Sequence, residues 1–142
     1  MSADHDRLEG FKPLAARGEF VAGNGPFFEE RKRSNGVRRY AFKPQAKHCN
    51  SLGFVHGGMV ATFFDSCMAQ SIADAHQFAL LTVGLNVSFE NLIAKNRWAV
   101  AEVNLQERVD ESVVANAVLT SRGLVCAKAS GQFKLMLKRP LS

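Results

Sequence analysis

The chain has no run approaching the roughly 20 apolar residues that a membrane span requires. Its first ten residues, Met1 to Gly10, are charged where a secretory leader carries a hydrophobic segment. A cytoplasmic protein without a membrane partner is therefore expected. Cysteine is scarce: Cys49, Cys67 and Cys126 are odd in number and show no C-x-x-C spacing, which excludes a disulfide framework and a zinc site. Buried thiols are the expectation. Tryptophan and tyrosine occur once each against eleven phenylalanines, so the rings serve packing before polar recognition. No G-x-S-x-G, H-E-x-x-H or G-x-x-x-x-G-K occurs, so a serine triad, a catalytic zinc and a phosphate-binding loop all lack their signatures. No metal or separate cofactor is expected.

What is present fits one folded domain. The 142 residues, 46% hydrophobic and 22% charged, suit one ordinary core. The net charge of +5 is unevenly spread: Arg31, Lys32, Arg33, Arg38 and Arg39 cluster early, Lys134, Lys138 and Arg139 lie at the end, and no lysine or arginine falls between Lys47 and Lys95. Basic residues on a mixed strand more often form a solvated edge than a nucleic-acid footprint. A small phosphorylated ligand is a third reading, and no nucleic-acid partner is expected.

Residues 1–26 carry Gly10, Pro13, Gly18, Gly23, Gly25 and Pro26, leaving room for at most a short helical turn around Leu14 to Phe20. They are read as an arm lying over a domain of residues 27–142. Phe27 to Arg33 and Val37 to Lys43 flank Ser34-Asn35-Gly36, a strong hairpin signal. A polar loop after Pro44 ends at His56-Gly57-Gly58 and opens an apolar stretch to about Ala75. At helical spacing, Met59, Val60, Phe63, Phe64, Cys67 and Met68 cover more than half the circumference, so this helix should be wrapped by protein. Four strands follow, at Leu81 to Glu90, Arg97 to Glu107, Ser112 to Thr120 and Leu124 to Leu137, with turns at Asp110-Glu111 and Ser121-Arg122-Gly123. The order predicts an α+β architecture, a curled antiparallel sheet around a central helix.

The chemistry concentrates between His48 and Asp65. Gly57 and Gly58 stand at a helix N-terminus, where amides lack intrahelical acceptors and the dipole favours negative charge, an oxyanion site in outline. Asp65 has Ala61, Thr62, Met68 and Ala69 as its helical neighbours and no cation among them. It either faces water or occupies a pocket that raises its pKa, and the second case suits a base. Eight residues separate Gly57 from Asp65, about 12 Å along one helix. One carbonyl cannot span that distance. Two such helices antiparallel across a two-fold axis would place the N-terminus of one opposite the aspartate of the other, so an obligate homodimer with shared sites is expected.

The pattern H-x-N-x-x-G-x-x-H-G-G from His48 to Gly58, with an aspartate eight residues after Gly57, resembles the PaaI-like hotdog thioesterases. The order of elements from Phe27 to Leu137 is similar too, and Gly10-Phe11-x-Pro13-Leu14 and Asn24-Gly25-Pro26-Phe27 resemble the arms of some bacterial members. The resemblance implies a hotdog fold, a double-hotdog dimer and hydrolysis of aryl or short- to medium-chain acyl-CoA, coenzyme A being part of the substrate. It implies that Asp65 is the general base or nucleophile and that the Gly57 amide and the Asn50 side chain polarise the thioester carbonyl. It further implies that His56 orients loop or substrate and that Thr82, where many members have serine, helps to place water. A thiolate whose parent pKa is near cysteine's, about 8.5, leaves without much help from an acid, so base and oxyanion site suffice.

Blander roles stand beside these. Asn50 would also serve an Asx turn, His48 a loop hydrogen bond, His76 a helix C-terminus and Glu90 a polar strand end. A non-catalytic acyl-CoA-binding module and a hotdog dehydratase are the competing functions. The acyl group, the residues holding the nucleotide and the choice between a dimer and a tetramer of two dimers stay open.

Overall fold

The computed structural model describes residues 8–32, 36–76 and 79–136. In chain order the elements are β1 (Phe11–Pro13), α1 (Gly18–Asn24), β2 (Phe28–Glu30), β3 (Val37–Phe42), α2 (Gly57–His76), β4 (Ala79–Phe89), β5 (Ala99–Leu105), β6 (Ser112–Ser121) and β7 (Leu124–Met136). One antiparallel sheet in the order β1-β2-β3-β5-β6-β7-β4 curls around α2 without closing.

The expected wrapping of α2 follows from its side chains. All six residues singled out on its apolar face are buried, with Phe63, Phe64, Cys67 and Met68 wholly so. They pack against the inward faces of β5, β6 and β7, where alternate residues such as Ala101, Val103, Val113, Leu119 and Phe133 are buried. Phe63 meets Phe42 at 4.6 Å and Phe27 at 5.0 Å between ring centres. Gly131 on β7 permits this fit: a Cβ there would lie 2.7 Å from Met68 Sδ, so only a glycine lets the helix seat this close. Tyr40 and Ser71 are buried but share a hydrogen bond of 2.8 Å. Burial pushes the Tyr40 hydroxyl up to about 12.

Three details depart from the sequence expectation. Part of the arm joins the sheet as β1, pairing Phe11 with Glu30 and Pro13 with Phe28, and its helix lies later than expected, over Gly18–Asn24. Three residues are too few for strand periodicity to show. The loop before α2 contains a 3₁₀ turn, Ala46–His48, in which Gln45 and His48 cap one another. Cys67 and Cys126 are buried thiols, pushed up by burial, but Cys49 is only half-buried. The hairpin of β2 and β3 forms, pairing Phe28 with Ala41, while residues 33–35 of its turn lie outside the described residues.

The basic cluster is largely paired where described. Arg38 meets Asp74 at 2.8 Å, Arg39 bridges Glu30 and Glu102 at 3.2 Å each, and Lys134 lies 3.8 Å from Glu111. Arg33, Lys138 and Arg139 fall outside the described residues. Among the described residues no helix is long and apolar enough to cross a membrane.

Candidate active site

The segment before α2 is clamped before it reaches the helix. Asn50 Oδ1 accepts the Leu52 and Phe54 amides at 3.0 and 3.2 Å, and the Asn50 amide donates to the Phe54 carbonyl at 2.7 Å. Gly53 completes the turn at φ +87°, a conformation open to glycine. The Val55 amide donates to Ile93 and that of His56 to the His48 carbonyl, both at 2.9 Å. The Asx turn is thus real, and it occupies the acceptor half of the Asn50 side chain. Among the described residues the Nδ2 donors have no acceptor, which leaves them for another partner.

His56 caps the helix. Its Nδ1 accepts the Gly58 amide at 2.8 Å, and its carbonyl accepts those of Met59 and Val60 at 2.9 and 3.1 Å. With Nδ1 accepting, the ring proton sits on Nε2. Three of the four amides of the first turn are taken up in this way; among the described residues the Gly57 amide has no acceptor. The Phe89 ring stands beside Gly57, near enough that a Cβ there would touch it at 3.5 Å.

Asp65 lies two turns further along α2, half-buried, and its Oδ1 accepts a hydrogen bond of 2.7 Å from Thr82 Oγ1 on β4. Thr82 pairs with Phe133, a wholly buried ring, and so points to the helix side of the sheet. The register shifts between Thr82 and Gly84, making Val83 a bulge residue. Strict alternation would put Thr82 and Phe89, seven residues apart, on opposite faces. The bulge restores both to the helix side, where Phe89 pairs with buried Ala127. This is why Phe89 was not legible as a neighbour of Gly57: a bulge leaves no periodic mark.

The predicted residues thus fall in separate places along the chain. Asp65 and Thr82 are joined at mid-helix, His56 and Gly57 stand at its N-terminus, and Asn50 lies in the turn that precedes them. A cleft of 240 Å³ opens beside Asp65, walled by Ala69, Ala73 and Leu80 and, from the arm, by Leu14 and Val21. The arm residues were not singled out in the sequence, where short irregular chain carries no signal of what it covers.

His48 ties this site to the arm. Only 2% exposed, it donates from Nε2 to the Asn24 carbonyl at 2.6 Å and accepts the Gln45 amide on Nδ1 at 3.0 Å, an arrangement that needs the neutral ring. Burial holds its pKa below the ordinary 6.5; the Asn24 bond works against this and the Lys47 charge adds to it. The unfolded chain therefore takes up the proton more readily. Stability from this group is complete above about pH 6.5 and is lost as pH falls from there through the lower folded value. Urea unfolding between pH 7.5 and 5 should show a falling midpoint, and His48→Phe should flatten that fall. An equal slope in the variant would assign the loss to other groups.

No family model matches the chain. It is 30% identical over 131 residues to a Pseudomonas aeruginosa protein described as "Putative esterase PA0474", covering 89% of this chain and 96% of that one. It is 32% identical over 83 residues to mouse acyl-coenzyme A thioesterase THEM5, an alignment covering 57% of this chain and 33% of that protein. A mutant form of the phenylacetic acid degradation protein PaaI from Thermus thermophilus superposes with a TM-score of 0.72 at 15% identity, covering 82% of this chain and 98% of that one. The near full-length match to the Pseudomonas protein, on a sheet curled about one long helix, settles the family: this chain belongs to the PaaI-like hotdog-fold thioesterases.

Proposed function

We propose that this protein hydrolyses acyl-CoA thioesters of aryl or short- to medium-chain acids to the free acid and coenzyme A, in the cytoplasm, as a homodimer with shared sites. The observation that carries the reading is the Asp65 carboxylate, oriented by Thr82 at 2.7 Å and opening onto a cleft with mainly apolar walls. The carboxylate has room for a water and the cleft for an acyl group. Its relatives support the substrate class, since THEM5 is named an acyl-coenzyme A thioesterase.

The β4 edge supports the assembly. It is an edge strand of eleven residues, long for an unprotected edge, and carries Leu81, Val83 and Phe89 more than half exposed. Pairing of two β4 edges would cover them and bring the partner subunit's Gly57 and Asn50 toward Asp65. In the reaction, water adds to the thioester carbon as Asp65 takes its proton. The carbonyl oxygen gains the negative charge, held by the partner subunit's Gly57 amide and Asn50 Nδ2. Collapse of that intermediate breaks the carbon–sulfur bond and expels the coenzyme A thiolate, to which the proton returns. If Asp65 attacks the carbon directly, the same groups serve and water then cleaves the mixed anhydride.

Release of free thiol from acyl-CoAs with short, medium, long and aromatic acyl groups tests the reading. Turnover of at least one aryl or short- to medium-chain member at a kcat/KM of about 10⁴ M⁻¹s⁻¹ or more is expected. Tight binding of the panel without thiol release would make the protein a binding module, and formation of a double bond in place of thiol would make it a dehydratase.

A further inference from the structure

The arm lies over more space than the cleft at Asp65. A second cavity, of 320 Å³, lies beside the arm and is bounded by Pro26 and Lys47. The two cavities share four wall residues, Leu14, Ala15, Val21 and Phe27, so these side chains stand between them. Phe27 is core, fixed against Phe42 and Phe63. Leu14 is held through its amide, which donates to the Phe27 carbonyl at 2.9 Å. Helix α1 itself contains no buried residue. It is fastened at its end, where the Asn24 carbonyl accepts from His48, and is hollow beneath its middle. Val21, half-buried, is the side chain that this middle places between the two spaces.

We infer that the arm and α2 together form the acyl subsite, and that Val21 sets how long an acyl group it admits. This rests on the thioesterase reading and deepens it. The reacting carbon must lie at Asp65, and the wall that continues from Asp65 along α2 carries Ala69 and Ala73 beside the polar Ser66 and Gln70, facing Leu80 and the arm. The alanines on the helix leave a channel, which Leu14, Ala15 and Val21 of the arm roof, with Arg17 at its wall. A dry apolar cavity of about 150 Å³ takes a benzene ring, so the cleft at Asp65 accepts an aryl group or a medium-length chain. A longer chain has to pass Val21 into the second cavity, whose one ionisable wall residue is Lys47. Each methylene buried there should raise kcat/KM roughly fourfold until the passage is blocked.

The test is the profile of kcat/KM against chain length, from acetyl-CoA to palmitoyl-CoA, for the wild type, Val21→Trp and Val21→Ala in the full chain. In Val21→Trp the octanoyl-to-acetyl ratio should fall tenfold or more, because the larger ring fills the gap. In Val21→Ala the preferred length should move upward by at least two carbons. Circular dichroism shows whether each variant is folded, and the alanine variant keeps the inference open to failure if tryptophan prevents folding. An active wild type whose profile Val21→Ala leaves in place overturns the inference alone. A wild type inert toward every chain length overturns the thioesterase reading, and the acyl subsite with it.

Discussion

Asp65→Asn is expected to give a folded protein whose thiol release is slower by a factor of roughly 10² to 10⁴, the usual contribution of a positioned general base. The substitution isolates the charge and basicity of the group. Asparagine has the same shape, its Oδ1 can still accept from Thr82 Oγ1, and half-burial of the side chain leaves its amide access to water. Neither core packing nor the helix is disturbed. The loss should therefore appear in kcat with KM nearly unchanged, since the acyl walls at Ala69, Ala73 and Leu80 are untouched. Thr82→Val, which removes only the hydroxyl that orients the carboxylate, should cost less, about tenfold for one hydrogen bond to an ionised acceptor that water can reach. The order of the two effects is the informative part. A thioesterase that kept more than a tenth of its rate in Asp65→Asn, or lost more in Thr82→Val, would not be using Asp65 as its base.

How far the sequence reached is seen by comparing particular residues. The buried face of α2 was legible because six large apolar side chains at helical spacing have no other place to go, and all six are buried. The strands β5, β6 and β7 were legible by alternation, and the turn at Arg122-Gly123 by its residues, which adopt φ of +55° and +75°. Asp65 and Gly57 could be singled out because each lacks a local partner in the sequence. Thr82 came only through family resemblance, since a lone hydroxyl among apolar strand residues has no signature. What stayed hidden depends on long-range geometry. The bulge at Val83 decides that Thr82 and Phe89 share a face, and β1 exists only because β2 offers it an edge. The cleft wall from Leu14 and Val21 depends on where the arm comes to rest. Phe63, Phe64 and Met68 are wholly buried, and α2 lines the cleft with Asp65, Ser66, Ala69, Gln70 and Ala73 instead.

Two inactive variants should restore activity to one another when mixed as subunits. Asn50→Asp keeps an oxygen to accept the Leu52 and Phe54 amides, so the loop should hold, but it replaces the Nδ2 donor with a negative charge where the carbonyl oxygen must become negative. Alone it should lose roughly 10² or more in kcat, as removal of an oxyanion donor does. Asp65→Asn alone is inactive for a different reason. If each site takes Asp65 from one protomer and Asn50 with Gly57 from the other, a heterodimer of the two variants has one site with both defects and one with neither. Random pairing at equal amounts makes half the dimers heterodimers, and each of these has one good site in two, so about a quarter of wild-type turnover should return. A protein that assembles its site within one chain cannot behave in this way: every chain in the mixture carries a defect, and no reassortment would repair it. Co-expression with two affinity tags and purification of the tagged heterodimer makes the distinction sharp, because about half of the wild-type rate is then expected against a background of about a hundredth. The expectation of two chains per site comes from the rise of an α-helix, which keeps Gly57 and Asp65 about 12 Å apart on any single copy of α2.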